Sequence, residues 1–217
     1  MTSSSSPTSA GITVIGAGII GLACALRLQH DGLKVALVDR DEPRHGASFG
    51  NAGHIATEPI YPLAAQLGYK VPLDTERGHH IALPQTKPAF NIPIASYERK
   101  VIMTPMSCGL RMIGTVEFGG LDLPPDVRRF GLLRKHMHAL LPSADASTAT
   151  TWMGFRPSLP DHLPVLGRAP DGREIYFAFG HQYLGVTLAG VTARMIAVAV
   201  RGHDKIESLS DFAVDRF

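Results

Sequence analysis

The N-terminal part of the chain contains two short apolar runs on either side of one amphipathic stretch. Ile12–Ile15 and Lys34–Val38 are rich in β-branched residues, which is typical of buried strands. Between them, a segment that begins at Leu22 has the apolar spacing of a helix and ends near Gly32, a residue suited to the left-handed position after a helix. The order strand, helix, strand predicts a parallel βαβ unit.

From Val71 onwards the pattern changes to short extended runs separated by glycine and proline, which is typical of an antiparallel sheet. The predicted strands are Leu73–Arg77, Gly78–Pro84, Asn91–Ser96, Lys100–Pro105, Arg111–Phe118 and Trp152–Pro157. Apolar residues at helical spacing predict one helix over Pro124–Leu141, and Pro142 marks its end.

The C-terminal part repeats the order of strand, glycine-rich turn and helix. After Val165–Gly167, a hairpin around Asp171 and Gly172 leads into a strand over Ile175–Phe179, which we expect to join the two N-terminal strands in one sheet. The segment Gly180–Gly185 then precedes an apolar helix over Val186–Val200. The start of that helix is a second place where free backbone N–H groups can face a ligand.

Three glycines between the first strand and the first helix form the pattern GxGxxG. Gly16 allows a tight turn, Gly18 lets a pyrophosphate approach the backbone, and Gly21 lets the helix pack closely on the strand. Asp39 follows the second strand, where its carboxylate can accept hydrogen bonds from ribose hydroxyls. An acid there favours NAD or FAD over NADP, whose 2′-phosphate it would repel. The alternative is a glycine-rich turn in some other α/β protein.

A second candidate for ligand contact is the segment Ala47–Ile55, which is rich in small residues. Small side chains let the backbone approach a flat ligand, and Ser48 and Asn51 offer hydrogen bonds. A plain surface loop explains the composition equally well.

Composition and charge argue against several classes of function. The chain has 217 residues, of which 45% are hydrophobic and 18% charged, with a net charge of +2. It has no basic stripe with interleaved aromatic residues, which argues against nucleic-acid binding. Cys24 and Cys108 form no disulfide framework, so we expect a reducing, cytoplasmic compartment. Arg194 interrupts the apolar C-terminal helix and favours a buried helix over a membrane span, while peripheral contact with the inner face of a membrane stays open.

Five segments carry a resemblance to a known family, and they are Val14–Gly21, Ser48–Gly53, Pro72–His80, Gly154–Pro157 and Phe179–Leu188. In this order they resemble the FAD-dependent D-amino acid oxidase and dehydrogenase superfamily, which includes glycine and sarcosine oxidases. The chain is most similar to the bacterial D-amino acid dehydrogenase branch of that superfamily.

The resemblance implies an FAD cofactor and a set of residues that would bind it. These residues are Gly16, Ala17, Gly18, Ile19, Gly21, Asp39, Arg40, Ser48, Asn51, Ala52, Gly53, Gly180, Gly185, Val186, Thr187 and Leu188. The N-terminal members would hold the pyrophosphate and the ribose. Ser48–Gly53 would lie against the flavin ring, and Gly180–Leu188 would cover its pyrimidine end.

The resemblance also implies a reaction, in which hydride transfer from the substrate Cα to flavin N5 oxidises the Cα–N bond of a D-amino acid or a related amino or imino acid. Arg156 matches the arginine that clamps the substrate carboxylate, a task that suits a planar, permanently charged guanidinium. His181 and Tyr183 are expected to line the pocket. Oxygen or a quinone-linked chain would reoxidise the flavin, and no metal site is expected.

The implied fold combines α/β and α+β elements. A Rossmann-like FAD-binding βαβ unit, to which a C-terminal strand and helix return, is joined to an antiparallel-sheet substrate domain. The expected boundaries are residues 1–10 for a disordered tail that is not a secretory signal, 11–70 with 165–217 for an abbreviated FAD-binding domain, and 71–164 for the substrate domain.

Members of this family are generally much longer than this chain, and the shortfall has a location. Only Ile60–Lys70 stands where a long middle segment is expected, between Pro59 and Val71. Two alternatives to a compact active enzyme therefore stay open. One is an internally deleted relative that binds FAD weakly or not at all and lacks turnover, and the other is an NAD-binding module, against which the C-terminal motif argues. Apolar surface left by the missing segment would be exposed or buried by a partner chain in an oligomer.

Overall fold

The computed structural model describes residues 11–39, 60–84, 86–202 and 209–217. In chain order, its helices and longer strands are β1 (Ile12–Ile15), α1 (Ile19–His30), β2 (Val35–Val38), α2 (Ile60–Gln66), β3 (Asp74–Pro84), β4 (Ile94–Ser96), β5 (Val101–Met106), β6 (Gly109–Phe118), α3 (Val127–Leu140), β7 (Thr150–Ser158), β8 (Val165–Arg168), β9 (Tyr176–Phe179) and α4 (Gly185–Val200). Within these residues, no helix is long and apolar enough to cross a membrane.

The chain divides into two compact units. The first consists of the chain up to Asp74 together with Pro157–Phe217, and the second is Thr75–Arg156. The first contains a parallel βαβ unit and the second a mostly antiparallel sheet, so the fold class expected from the sequence is confirmed.

The βαβ unit of the first compact unit is built from β1, α1 and β2, and its two strands pair in parallel. Helix α1 ends at His30 and is followed at Gly32 by a residue whose φ of +86° lies in the left-handed region. The Leu33 N–H donates to the Leu28 carbonyl over 3.0 Å, which closes the helix end and satisfies a carbonyl that would otherwise lack a partner.

Strand β9 pairs with β8 in an antiparallel hairpin, and among the described residues β1 and β2 form a sheet of two strands. The expectation that Ile175–Phe179 joins the parallel strands is therefore wrong. The tight turn at Gly172, with φ +82°, returns the chain onto β8 in the hairpin expected around Asp171 and Gly172. The physical reason lies in the packing of β9, because Phe177 and Phe179 are buried in an apolar cluster with Val165, Ala64 and Val71.

Helix α4 nevertheless returns to the βαβ unit, because it packs against α1. The contact contains Cys24 of α1 and Ala193 and Ile196 of α4, all of them buried. Burial raises the pKa of the Cys24 thiol to about 11, so this side chain is neutral and acts as a small apolar group.

The parallel strands and α1 carry exposed apolar side chains. Ile15, Leu37 and Val38 of the strands are 66%, 39% and 50% exposed. Leu22 and Leu26 of α1 are 41% and 65% exposed. Exposed apolar side chains that adjoin one another are typical of surfaces that contact further protein.

In the second compact unit, the sheet has the strand order β4-β5-β6-β3-β7, and α3 packs on it. The core between them is apolar and consists of Ile81, Leu83, Val101, Met103, Leu110, Met112, Phe130, Leu133, Met137, Ala144, Ala146 and Ala149. The Asp126 side chain caps α3 by accepting the Arg128 N–H over 2.9 Å, which begins the helix three residues after Pro124.

Alternate residues of β3 lie on opposite faces of this sheet. The His79 ring lies 5.3 Å from the Phe130 ring of α3, which places His79 on the helix-covered face. Gly78 and His80 consequently lie on the other face. The sheet thus has one face that holds the core and one face that can carry a site.

We predict that Leu133→Ala lowers the free energy of unfolding by about 2–5 kcal/mol, because Leu133 is fully buried and the substitution leaves a cavity. Urea unfolding followed by circular dichroism measures the effect. Leu132→Ala is the matched control, since Leu132 is 43% exposed and should cost roughly 0.5 kcal/mol or less. Equal losses in the two variants would contradict the packing of α3 described above.

Candidate functional site

The first glycine turn connects β1 to α1. Gly16 has a φ of +104°, and its N–H donates to the Val38 carbonyl over 2.7 Å. A Cβ on Gly21 would overlap the Gly16 carbonyl oxygen and lie 3.0 Å from its carbon, so only glycine allows the helix to start this close to the strand. The backbone of the turn therefore requires glycine at both positions.

Gly18 stands at the N-terminus of α1 and meets a different condition. A Cβ there would have no atom within 4 Å, and among the described residues no side chain caps the helix. The first N–H groups of α1 thus face open space, and a side chain at Gly18 would project into that space. This is the arrangement that binds phosphate at a helix N-terminus.

Asp39 lies against the same turn. Its Oδ2 accepts a hydrogen bond from the Ala17 N–H, and its side chain is exposed at the end of β2. The carboxylate therefore stands at the mouth of the glycine turn, where the ribose next to a bound pyrophosphate would lie. Its contact with a ribose stays a prediction. Arg40, Ser48, Asn51, Ala52 and Gly53 lie outside the described residues.

The second glycine turn connects β9 to α4. Gly180 has a φ of +78°, and a Cβ there would lie 2.7 Å from Leu159 Cδ1, so glycine is required on both counts. Helix α4 begins after Leu184, which provides no side-chain cap. Val186 and Thr187 in its first turn are exposed, and Leu188 is half-buried.

The two turns are neighbours in the first compact unit. A Cβ on buried Gly185 would lie 4.0 Å from Ile19 Cγ2, so the first residue of α4 lies close to the first residue of α1. Two uncapped helix N-termini therefore stand next to each other. Each carries free N–H groups and the positive end of a helix dipole, and together they favour one extended anionic ligand.

His181 is buried, and its Nε2 lies 2.9 Å from the Thr192 hydroxyl of α4. Burial lowers the pKa of His181 to about 4, so the ring is neutral at neutral pH. The contact fastens the glycine turn to the helix it precedes. Tyr183, by contrast, is 65% exposed, so a ligand could contact it only at the outer surface of the turn.

Gln182 is a residue of this turn that sequence reasoning missed. It has a φ of +52° and is buried, and its Oε1 lies 3.2 Å from His162 Nδ1. Its Nε2 is buried without a hydrogen-bond partner among the described residues. The sequence around Gln182 gives no sign that its side chain is buried beside His162, because the two residues are distant in sequence.

Arg156 lies near the end of β7, in the second compact unit, and is half-buried. Its guanidinium lies over Gly78 of β3, where a Cβ would stand 2.8 Å from Nη2 and 2.9 Å from Cζ. The guanidinium is thus held flat against the face of the sheet that α3 does not cover. His181 and Tyr183 belong to the other unit.

A charged network lies beneath Arg156, on the helix-covered face. The Arg77 Nη2 donates to the carbonyls of Leu123 and Pro124 over 2.7 and 2.8 Å. Glu117 accepts from Arg129 Nε over 2.7 Å, and its other oxygen lies 3.4 Å from Arg77 Nε.

The same network surrounds His79, whose Nε2 lies 3.5 Å from Glu117. Burial lowers the pKa of His79 although the Glu117 charge opposes that shift, so the ring is neutral at neutral pH. Paired charges around a neutral ring fix β3 in place between β6 and α3.

The class defined by this fold is a dinucleotide-binding protein with a second, antiparallel-sheet unit. The sequence pattern of the FAD dependent oxidoreductase family, DAO, matches residues 11–71 and 60–199. The chain belongs to this family, and the prediction of FAD as the family's cofactor is confirmed.

Individual relatives agree with the family. The chain is 34% identical to a D-amino-acid oxidase of Bradyrhizobium diazoefficiens over 201 residues, which are 90% of this chain and 46% of that protein. It is 31% identical to a D-amino acid dehydrogenase of Paramagnetospirillum magneticum over 71% of this chain and 37% of that protein. The chain therefore spans less than half the length of these relatives.

A solved structure shares the fold. The crystal structure of glycine oxidase from Bacillus cereus superposes with a TM-score of 0.72 at 15% identity, covering 93% of this chain and 100% of that chain.

We predict that the titration of His181 by itself lowers the free energy of unfolding by roughly 3 kcal/mol as the pH drops from about 6.5 to about 4. This loss adds to whatever other titrating groups contribute. Below pH 6.5 the unfolded chain binds a proton at this ring, whereas the folded protein binds it only near pH 4. Urea unfolding at several pH values measures the slope. His181→Gln should flatten it, and His30→Gln, which alters a side chain that is 84% exposed, should leave it unchanged. Parallel curves for wild type and His181→Gln would contradict the assignment.

Proposed function

We propose that the chain binds FAD across the two glycine turns and oxidises the Cα–N bond of a D-amino acid or a related amino or imino acid. The observation that carries this proposal is the closeness of Gly185 to Ile19, which places the two uncapped helix N-termini side by side. A dinucleotide whose two ends differ in chemistry needs two such binding points within its own length.

The residues present fit this cofactor. Gly16, Gly18 and Gly21 leave the N-terminus of α1 open for the pyrophosphate, and Asp39 is the candidate for the ribose. The N–H groups at the start of α4 would stabilise negative charge at the pyrimidine end of the flavin. When bound, FAD supplies the acceptor for the hydride that leaves the substrate Cα.

The chain's own task toward the substrate is to bind and orient it. The Arg156 guanidinium, held flat on the sheet, can donate two hydrogen bonds to the substrate carboxylate and so fix the direction of the Cα–H bond. The amine must be neutral so that its lone pair can assist the departing hydride. The resulting imino acid then hydrolyses in water, and this sequence requires no strong protein base.

The proposed division of labour follows the two compact units. Residues 11–70 and 165–217 would form the FAD-binding domain and residues 71–164 the substrate domain. Relatives that carry the names oxidase and dehydrogenase both support amino acid oxidation and leave two acceptors, oxygen and a quinone-linked chain.

A second candidate is a shortened relative that lacks turnover by itself. The exposed apolar side chains Ile15, Leu26 and Val38, together with a length below half that of the relatives, favour it. Such a chain would need a partner to cover β1, β2 and α1. Light scattering of the purified protein would show an oligomer in this case.

We expect the purified protein to take up FAD, to keep its flavin absorbance through gel filtration, and to lose that absorbance when D-amino acids, sarcosine or D-hydroxyproline are added without oxygen. Readmission of oxygen or of a quinone then identifies the acceptor. A folded protein that no added FAD can colour would overturn the proposal that the chain binds FAD. A coloured protein that no substrate bleaches would favour the shortened relative.

Gly18→Ala should weaken FAD binding about tenfold or more while leaving the fold intact. Its Cβ meets no protein atom but occupies the space of the phosphates, at the cost of charge-assisted hydrogen bonds. Titration of apoprotein with FAD measures the affinity. Gly190→Ala, in α4 and equally without neighbours at its Cβ, is the control and should bind FAD like wild type. Identical affinities in both variants would remove the α1 N-terminus as the phosphate site.

Arg156→Ala should raise KM by a factor that corresponds to about 2–4 kcal/mol, because a charged clamp on the carboxylate is lost. Steady-state kinetics with the best substrate of the panel measures the change. Arg128→Ala serves as control, since Arg128 is 88% exposed and pairs only with its neighbour Asp126 among the described contacts. Unchanged kinetics in Arg156→Ala would rule out the carboxylate role.

A further inference from the structure

One face of the sheet in the second compact unit carries a row of planar groups. Trp152, Gly154 and Arg156 alternate along β7 and therefore point to the same side. Gly78 and His80 point to that side from the neighbouring strand β3. The face thus combines one guanidinium, one indole and one imidazole with two positions that have no side chain.

Gly78 makes room for the guanidinium of Arg156. A Cβ at this position would lie 2.8, 2.9 and 3.3 Å from Nη2, Cζ and Nε of Arg156, so all three atoms lie over the glycine. The backbone of Gly78 is not in the left-handed region, and any residue could adopt it. The requirement for glycine here is steric and concerns Arg156 alone.

Gly154 makes room for the indole of Trp152 in the same way. Its Cβ would overlap the Trp152 ring, with Cζ2 at 2.6 Å and Cζ3 at 2.8 Å. The indole stacks on the imidazole of buried His80, with ring centroids 4.7 Å apart and an angle of 19° between the rings. The indole is therefore held flat over Gly154, which directs it along the strand towards Arg156.

We infer that Gly78 and Gly154 are positioning residues of the substrate site, which they build by letting Arg156 and Trp152 lie flat and next to each other on the sheet. The inference rests on the proposed function, because Arg156 is taken to bind the substrate carboxylate. Trp152 and Arg156 are four residues apart on β7, but the indole lies over Gly154, which is two residues, or about 7 Å along the strand axis, from Arg156. A carboxylate and a side chain on the same Cα can reach two groups at that spacing.

This arrangement selects a class of substrate. A carboxylate bound at Arg156 places the substrate side chain at the stacked pair of Trp152 and His80, which offers an aromatic surface with little flexibility. Aromatic and bulky apolar side chains gain contact there beyond their buried area. The site therefore prefers D-amino acids with a large apolar or aromatic side chain, such as D-phenylalanine, over D-alanine.

Trp152 makes the test direct, because it is the only tryptophan of the chain. Its fluorescence in the FAD-loaded protein is titrated without oxygen with D-phenylalanine, D-alanine and D-phenylalaninamide, after the flavin has been reduced chemically so that no turnover occurs, and flavin content is measured beforehand in every variant. In wild type, D-phenylalanine should change the fluorescence and bind at least about tenfold more tightly than D-alanine and than the amide, which lacks the carboxylate.

Two variants separate the two roles, and Gly131→Ala, whose Cβ meets no atom, is the control for an added methyl group in the same unit. Gly78→Ala should weaken both amino acids about tenfold, because the guanidinium is displaced. Gly154→Ala should leave D-alanine within about twofold of wild type and abolish the preference for D-phenylalanine, because the indole is tilted. All three variants should keep the flavin content of wild type. Gly78→Ala and Gly154→Ala should keep its melting temperature, whereas Gly131→Ala should melt at the same or a slightly higher temperature, because alanine replaces glycine inside α3.

The outcomes distinguish this inference from the proposed function. If substrates bleach the flavin but Gly78→Ala binds both amino acids like Gly131→Ala, the proposed function stands and the positioning role is wrong. If wild type binds D-phenylalanine and D-alanine equally, or if neither ligand alters Trp152 fluorescence, the assignment of the indole to the substrate side chain is overturned. A loss of flavin or a lower melting temperature in Gly78→Ala alone would show that this glycine serves folding and would also overturn the inference.

Discussion

The packing of α1 against α4 is the interaction on which the first compact unit depends. Small and apolar side chains, among them Cys24 and Ala193, let the two helices approach, and Gly185 then comes next to Ile19. Because both helices begin without a side-chain cap, their positive ends stand close together and repel each other. An anionic ligand would satisfy the free N–H groups and screen that repulsion. The packing of the two helices therefore supports the proposed dinucleotide site.

The second compact unit achieves precision by dividing its sheet into two faces. On the covered face, buried Arg77 and half-buried Glu117 and Arg129 pair with one another or with backbone carbonyls, so each of these charges has a partner. This backing fixes β3. The position of β3 matters for the opposite face, because Gly78 leaves room for the Arg156 guanidinium only while the strand stays in place.

The short length of the chain and the exposed apolar surface of the first unit are related. The chain spans 46% of its relative from Bradyrhizobium diazoefficiens, and the family pattern matches in two segments that overlap between residues 60 and 71. Among the described residues the parallel sheet has two strands, and Ile15 and Val38 on it are exposed. Two strands with one helix retain the phosphate-binding end of a dinucleotide unit but leave its apolar surface without the cover that further strands would provide.

Local signals in the sequence determined the two glycine turns, the helices that follow them and the strands of the second unit, because apolar period and glycine position are properties of neighbouring residues. Even there, α1 begins at Ile19 and not at Leu22, since Gly18 provides no side-chain cap and the sequence therefore contains no capping residue that would mark the start of the helix. Only the tertiary structure decided that, among the described residues, β9 stays outside the sheet of β1 and β2, that Gln182 is buried beside His162, and that Gly78 and Gly154 face Arg156 and Trp152. Each of these depends on which distant segments come together, and such contacts are set by the packing of the whole chain and leave no periodic trace in any single segment.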